Sequence, residues 1–189
     1  MYHIKKDLRM QKSAELFYEG LLSLLQDKPL DHITVTDLAR STGAGRTTFY
    51  RLFDDVIDIL RWKCDTQFNE VILGFMESGV KDQNDLLGHV LDYWMTQSEV
   101  IEVLFRSGRQ DIAYRSFIDS SSIVIEAIRK RGFVVNNDEA LFFLSVHAGC
   151  FVGLMDAWLR SGKRYRSEQI ITLANKLQFQ DGFELPLIL

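Results

Sequence analysis

The stretch TVTDLARSTGAGRTTFYRLF, residues 34–53, decides the fold. Thr34 and Asp37 form a Thr-x-x-Asp start resembling a capping box, and the helix it opens carries Val35, Leu38 and Ala39 inward. Gly43 stops that helix. A second one runs from about Gly45 to Phe53, with Phe49 and Phe53 four apart on one face and Thr48 and Arg51 away from it. It is too short to be stable alone, so the helices before and after it must hold it.

Working outward, Met10, Ala14, Phe17, Leu21 and Leu24 are spaced as the apolar stripe of one amphipathic helix, ended by Lys28-Pro29. Downstream, Ile57, Leu60, Cys64, Phe68, Ile72 and Phe75 predict a fourth helix from near Asp55, long enough to link two domains. Beyond Gly79, helices are expected at about 83–97, 98–107, 110–131, 138–161 and 167–180. Breaks fall near Gly108, at Gly132 to Asn137 and at Ser161-Gly162, and Ser98 and Ser167, each followed by Glu, are expected N-caps. No internal repeat or low-complexity tract is present.

Composition agrees with this pattern. Of 189 residues, 47% are apolar, 25% charged and only two are proline, which describes a soluble all-α protein rather than a disordered one. Cys64 and Cys150 sit in apolar helical patterns without a CxxC partner and are expected to be buried, reduced thiols, as suits the cytoplasm. The start, MYHIKKDLRMQK, has no apolar run before a small-residue cleavage site, so no secretory leader is expected. The apolar segment Ala140 to Leu159 contains His147 and Asp156, and its uncharged part is shorter than the roughly 20 residues that span a bilayer. A helix buried on most sides, within a domain or a dimer, is expected instead of a membrane span. The formal net charge is -4, distributed as +1 over residues 1–64 and -5 over the remainder. Lys5, Lys6, Arg9 and Lys12 concentrate the basic character near the start.

The chemistry of residues 34–53 is that of a helix-turn-helix, whose second helix lies in the major groove while the first braces across the backbone. Arg46 and Arg51 can reach phosphates or guanine edges, and threonine can bond bases or phosphates and touch a thymine methyl. Gly45 lets the start of the second helix approach DNA closely. The sequence has no Ser/His/Asp set, phosphate-binding glycine loop, HExxH or metal-spaced cluster, so neither an enzyme, a metal nor a cofactor is expected.

The run ITVTDLARSTGAGRTTFYRLFDD resembles the N-terminal domain of the TetR family of bacterial transcriptional regulators, over about residues 9 to 60. Thr34, Val35, Leu38, Ala39, Gly43, Thr48, Phe49, Tyr50 and Phe53 match the family pattern. KPLDHITV with RTTFYRLF is similar to the branch that includes regulators of dihydroxyacetone kinase operons. The resemblance implies a DNA-binding domain over 1–54 and a helical effector-binding and dimerisation domain over 55–189. It assigns DNA contact to Arg46, Thr47, Thr48 and Tyr50, with Thr36 from the preceding helix, and leaves Phe49 and Phe53 to the core. Gly45, Arg51, Lys5 and Lys6 complete the expected DNA-facing set. The chain departs from the family at Val56, where a lysine is usual, and at Ala44 and Gly45. Lys5, Lys6 and Arg9 are candidates to supply the missing charge.

In the second domain Ser145, Gly149, Gly153 and Ala157 recur every four residues, a strip without bulk that lets another helix approach closely. Glycine inside a helix costs about 1 kcal/mol against alanine and needs a packing reason, so the strip is the expected dimer interface. A helix of the same chain packed there is the alternative. His89, Tyr93, Trp94, Phe105, Phe117, Phe143, His147 and Phe151 are candidates to line a pocket for a small apolar or aromatic effector. The function so read is a cytoplasmic dimeric regulator, a repressor, binding a palindromic double-stranded operator under effector control. The alternative is a helical interaction module or co-activator that kept the fold without DNA binding.

Overall fold

The computed structural model describes residues 1–4, 7–77, 83–120, 125, 129, 130 and 137–179. Its architecture is all-α: α1 (Leu8–Leu24), α2 (Val35–Thr42), α3 (Arg46–Leu52), α4 (Ile57–Glu77), α5 (Gln83–Thr96), α6 (Glu99–Arg106), α7 (Gln110–Asp119), α8 (Asn137–Arg160) and α9 (Ser167–Phe179). A 3₁₀ turn at Leu30–His32 leads into α2. The chain forms two compact units, Met1–Cys64 and Asp65–Leu189, and α4 contributes to both.

The first unit is built around phenylalanine. Phe17 of α1 meets Phe49 of α3 edge to face at 5.3 Å between ring centroids, and Phe53 stands 5.6 Å from Phe49 and 6.2 Å from Trp62. Phe17, Phe49, Phe53, Leu21, Leu38 and Leu52 are fully buried. α1 can lie close against α2 because position 20 is glycine: a Cβ there would come within 2.4 Å of Thr42 Cγ2. Thr42 has little freedom to move aside, since its hydroxyl donates to the Leu38 carbonyl at 2.8 Å and accepts from Ala44 N at 3.2 Å.

The start of α2 follows its sequence closely. Thr34 Oγ1 accepts from Asp37 N at 3.2 Å while the Asp37 carboxylate accepts from Thr34 N at 2.9 Å, a reciprocal capping box. Lys28 Nζ adds a 2.7 Å ion pair to the same carboxylate. The Lys28 ammonium, followed by the Thr34 hydroxyl and amide, holds Asp37 well below the usual carboxylate range. Gly43 closes α2 at φ 69°, in the left-handed region where a side chain is strained.

The N-terminal residues meet the start of α4. Tyr2 pairs as an isolated β-bridge with Phe53, and His3 N donates to the Leu52 carbonyl at 2.8 Å. The Met1 amine bonds Asp54 at 2.9 Å and the fully buried Asp58 at 2.6 Å, and Asp58 also takes Arg61 at 2.7 Å.

In the second unit α7 packs on α8 and on α6, and α5 packs on α9. Its core is a ring cluster of Phe68, Trp94, Phe117 and Phe151, with centroids 4.7 to 6.2 Å apart in the observed pairs. α8 is not buried on most sides as expected: Leu144, His147, Ala148, Phe151, Met155 and Trp158 face inward, while Leu141, Phe142 and Val146 are exposed. By length and composition alone its segment Ala140–Arg160 is apolar enough to cross a membrane.

Two expected caps differ. Ser98 precedes α6 in an α-helical conformation, and its hydroxyl donates to Glu102 at 2.6 Å instead of accepting a backbone N–H. Ser167 is itself the first helical residue of α9, and Gln169 Oε1 accepts from Arg166 N at 2.9 Å. In both places a longer side chain further along, Glu102 four residues after Ser98 and Gln169 two after Ser167, has taken the polar role.

Gly20→Ala should cost about 1–3 kcal/mol in urea unfolding, because the new methyl meets a locked threonine. Phe49→Ala should cost about 3–5 kcal/mol in the same assay. The capping contribution of Asp37 is fully present above its ordinary value of 3.8 and is lost as acid carries pH downward. Asp37→Asn should therefore flatten the acid limb of the stability-against-pH curve and lower stability at neutral pH.

Candidate nucleic-acid interface and ligand site

With Phe49 and Leu52 turned inward, the opposite side of α3 is left to solvent. Arg46, Thr47 and Arg51 are exposed, Tyr50 is 50% exposed, and Thr48 is partly covered. Tyr50 is braced edge to face against Phe49 at 5.4 Å, which fixes its ring while leaving one side free. Neither Arg46 nor Arg51 makes an ion pair among the described residues. On α2, Thr36 is exposed, and Arg40, one turn further along the same helix face, is exposed as well. Arg40 was not among the expected contacts, although its i,i+4 spacing from Thr36 marked it.

Gly45 forms the N-cap of α3 at φ -70° and ψ 149°, an extended conformation open to any residue. A Cβ built on it meets nothing within 4 Å. The fold itself makes no demand for glycine here. Lys5 and Lys6 lie outside the described residues.

Val56 sits in an acidic setting whose charge is largely matched inside the chain. Asp54 accepts from His3 Nε2 at 2.7 Å and from the Met1 amine, and these contacts, His3 first, lower its pKa. Asp58 is neutralised by Met1 and Arg61. Apart from the Asp58–Arg61 pair, the sequence gives no local signal of this arrangement, because Met1 and His3 lie more than fifty residues from their partners.

In the second unit the structure gathers four of the expected ligand-site residues. Trp94, Phe117 and Phe151 join Phe68 in the ring cluster, and Tyr93 borders it at 5.8 Å from Trp94. Tyr93 is half-buried and donates its hydroxyl to Glu70 at 2.5 Å, and burial, then that bond, raises its pKa. His147 is buried on α8, one turn before Phe151. The side chain of Phe143 lies outside the described residues. Phe68 was read only as part of the apolar stripe of α4.

On α8, Gly149, Gly153 and Ala157 are exposed and Ser145 is partly so, its hydroxyl donating to the Leu141 carbonyl at 2.8 Å. A Cβ at Gly149 or Gly153 meets nothing within 4 Å, so no described helix of the same chain packs there.

No family model and no curated protein matches the chain. Solved structures do. Lin0861 from Listeria innocua superposes with a TM-score of 0.79 at 19% identity, covering 93% of each chain. A TetR transcriptional regulator from Streptococcus agalactiae 2603V gives 0.60 at 22% identity, covering 91% of this chain and 96% of that one. The fatty acid degradation regulator FadR from Bacillus halodurans gives 0.58 at 12% identity, covering 95% and 99%. This chain therefore has the all-helical fold of TetR-type regulators, along nearly its whole length.

Proposed function

We propose that the chain is a cytoplasmic transcriptional regulator, a repressor, that binds a palindromic operator as a homodimer and is released by a small-molecule effector. The observation that carries this is the division of α3, with Phe49 and Leu52 locked in the core and Arg46, Thr47, Tyr50 and Arg51 exposed on the outer face. A helix presented in that way suits the major groove. The arginines serve guanine edges or phosphates, and Thr47, Thr48 and Tyr50 serve bases and backbone. Thr36 and Arg40 serve the flanking phosphates from α2, and Gly45 keeps the approach of the α3 N-terminus free. Residues 1–54 then form the DNA-binding domain and residues 55–189 the effector and dimerisation domain. Kinship with the dihydroxyacetone kinase operon branch rests on KPLDHITV and RTTFYRLF.

The exposed strip Ser145, Gly149, Gly153 and Ala157, flanked by exposed Phe142 and Val146, is read as the dimer interface. Small residues let the paired helices approach and larger neighbours interdigitate around them. Dimerisation then sets two α3 helices at the spacing of successive major-groove faces, about 34–36 Å. An effector that prefers one spacing over the other shifts DNA affinity by the same coupling free energy that DNA exerts on the effector.

Selection from a random duplex library should enrich a palindromic motif with the wild type and lose it with the Thr47→Ala, Tyr50→Ala double variant. A folded wild type that enriches nothing at low salt would overturn the regulator reading. Gly45→Ser should leave DNA-free folding intact and stabilise α3 by a few tenths of a kcal/mol, roughly the difference between glycine and serine caps. Gly149→Leu should preserve helicity but shift sedimentation from dimer to monomer, and an unchanged dimer would place the interface elsewhere.

A further inference from the structure

α3 has no side-chain cap at its start, and at its other end the chain turns into the extended Phe53, at φ -138° and ψ 144°. The last carbonyls of a helix lack partners within it and must find them elsewhere. Here one of them is taken by the chain ahead of α1: His3 N donates to the Leu52 carbonyl at 2.8 Å. Asp54 N, shared with the Asp58 carboxylate at 3.2 Å, donates to the Met1 carbonyl at 3.2 Å. Tyr2 faces Phe53 between these two bonds as an antiparallel bridge.

A third tie joins the same two segments, since His3 Nε2 lies 2.7 Å from Asp54 Oδ1. Both side chains are exposed, so that pair is worth little by itself, and the backbone bonds carry the strap. The end of α3 is thereby held from two sides, by the Phe53 ring within the core and by the strap across Leu52 and Asp54. Tyr50 and Arg51 stand in the turn so held, and Arg46 and Thr47 stand at the opposite end of the helix. The backbone bonds use main-chain atoms of Leu52 and Asp54, so they act on the outer face through the backbone that carries it. Helix ends open locally before the core does, and in a seven-residue helix the last turn is a large part of the whole.

We propose that residues 1–4 form a strap that fixes the last turn of α3 and so positions Tyr50 and Arg51 for contact with DNA, with His3 as the positioning residue. This rests on reading residues 1–54 as a DNA-binding domain and adds to it a segment outside the helix-turn-helix pattern. Side chains that must meet particular base edges need the backbone beneath them held to a fraction of an ångström. Without the strap the fold stands, because Phe17, Phe49 and Phe53 stay buried, but the last turn frays. Sequence discrimination then falls, while the attraction of basic side chains for phosphates, which follows charge, is kept.

The test uses the full chain with His3→Pro, which removes the amide that bonds Leu52, beside His3→Ala, which keeps that amide and removes the ring. Hydrogen exchange without DNA should show the amides of Tyr50 to Phe53 opening about fivefold faster in His3→Pro, the loss of roughly one hydrogen bond, with α1 unchanged. His3→Ala should stay near the wild type, and deleting residues 1–3, which removes both backbone bonds, should do at least as much as His3→Pro. On the operator recovered by the library selection, His3→Pro should lose affinity at least about fivefold, while its binding to a scrambled duplex is unchanged. In that background Tyr50→Ala and Arg51→Ala should each cost less than in the wild type, whereas the effect of Arg46→Ala should add in full. Unchanged exchange, or full additivity at Tyr50 and Arg51 in a chain whose wild type binds specifically, overturns the positioning role alone. A folded wild type that enriches no motif overturns the regulator reading, and the positioning role with it.

Discussion

The edge-to-face contact of Phe17 with Phe49 is the constraint on which the first unit depends. α3 has seven residues, too few for a helix to persist in water on its own propensity. Its persistence is supplied by burial of Phe49 and Leu52 and by Phe53, which anchors its end beside Trp62. The same packing determines what faces outward. Once Phe49 is fixed in the core, helical geometry turns Arg46, Thr47, Tyr50 and Arg51 toward solvent, so the polar outer face is a consequence of the core. Gly20 and Gly43 are the two backbone concessions that make this possible, one through close approach of α1 to α2 and the other through a left-handed turn.

Much of the first unit was legible because its signals are local. Thr34 and Asp37 lie three apart and cap each other, Gly43 takes the conformation only glycine adopts cheaply, and Phe49 and Phe53 share a helix face. What escaped reading depends on distant partners. Nothing near Asp58 announces that a buried carboxylate will be matched by the Met1 amine, and nothing near Gly20 announces Thr42. Ser98 does take the N-cap position but makes no capping bond, and Ser167 lies inside its helix: Glu102 accepts from the Ser98 hydroxyl and Gln169 from the Arg166 amide, and residue type at one position does not settle such competition.

In the second unit four of the residues that periodicity singled out, Tyr93, Trp94, Phe117 and Phe151, do converge, around Phe68, which was part of the α4 stripe. Gln67 and Ser116, which no sequence pattern marked, both hold buried polar side-chain atoms. α8 joins two roles on one helix. Its inward side carries Phe151 into the ring cluster, and its outer side exposes Gly149 and Gly153 with open space above them. If the outer strip pairs subunits as proposed, α8 gives the aromatic cluster a direct physical route to bias that pairing, because packed interfaces change between discrete arrangements and not continuously.

Methylation interference at guanine N7 on a bound duplex probes the major groove base by base and so reads the placement of α3 directly. Interference is expected at two symmetric clusters about one helical turn apart, each relieved only in part by Arg46→Ala or Arg51→Ala. Binding that is indifferent to N7 methylation throughout, in a folded dimer, would contradict the placement of α3 in the major groove.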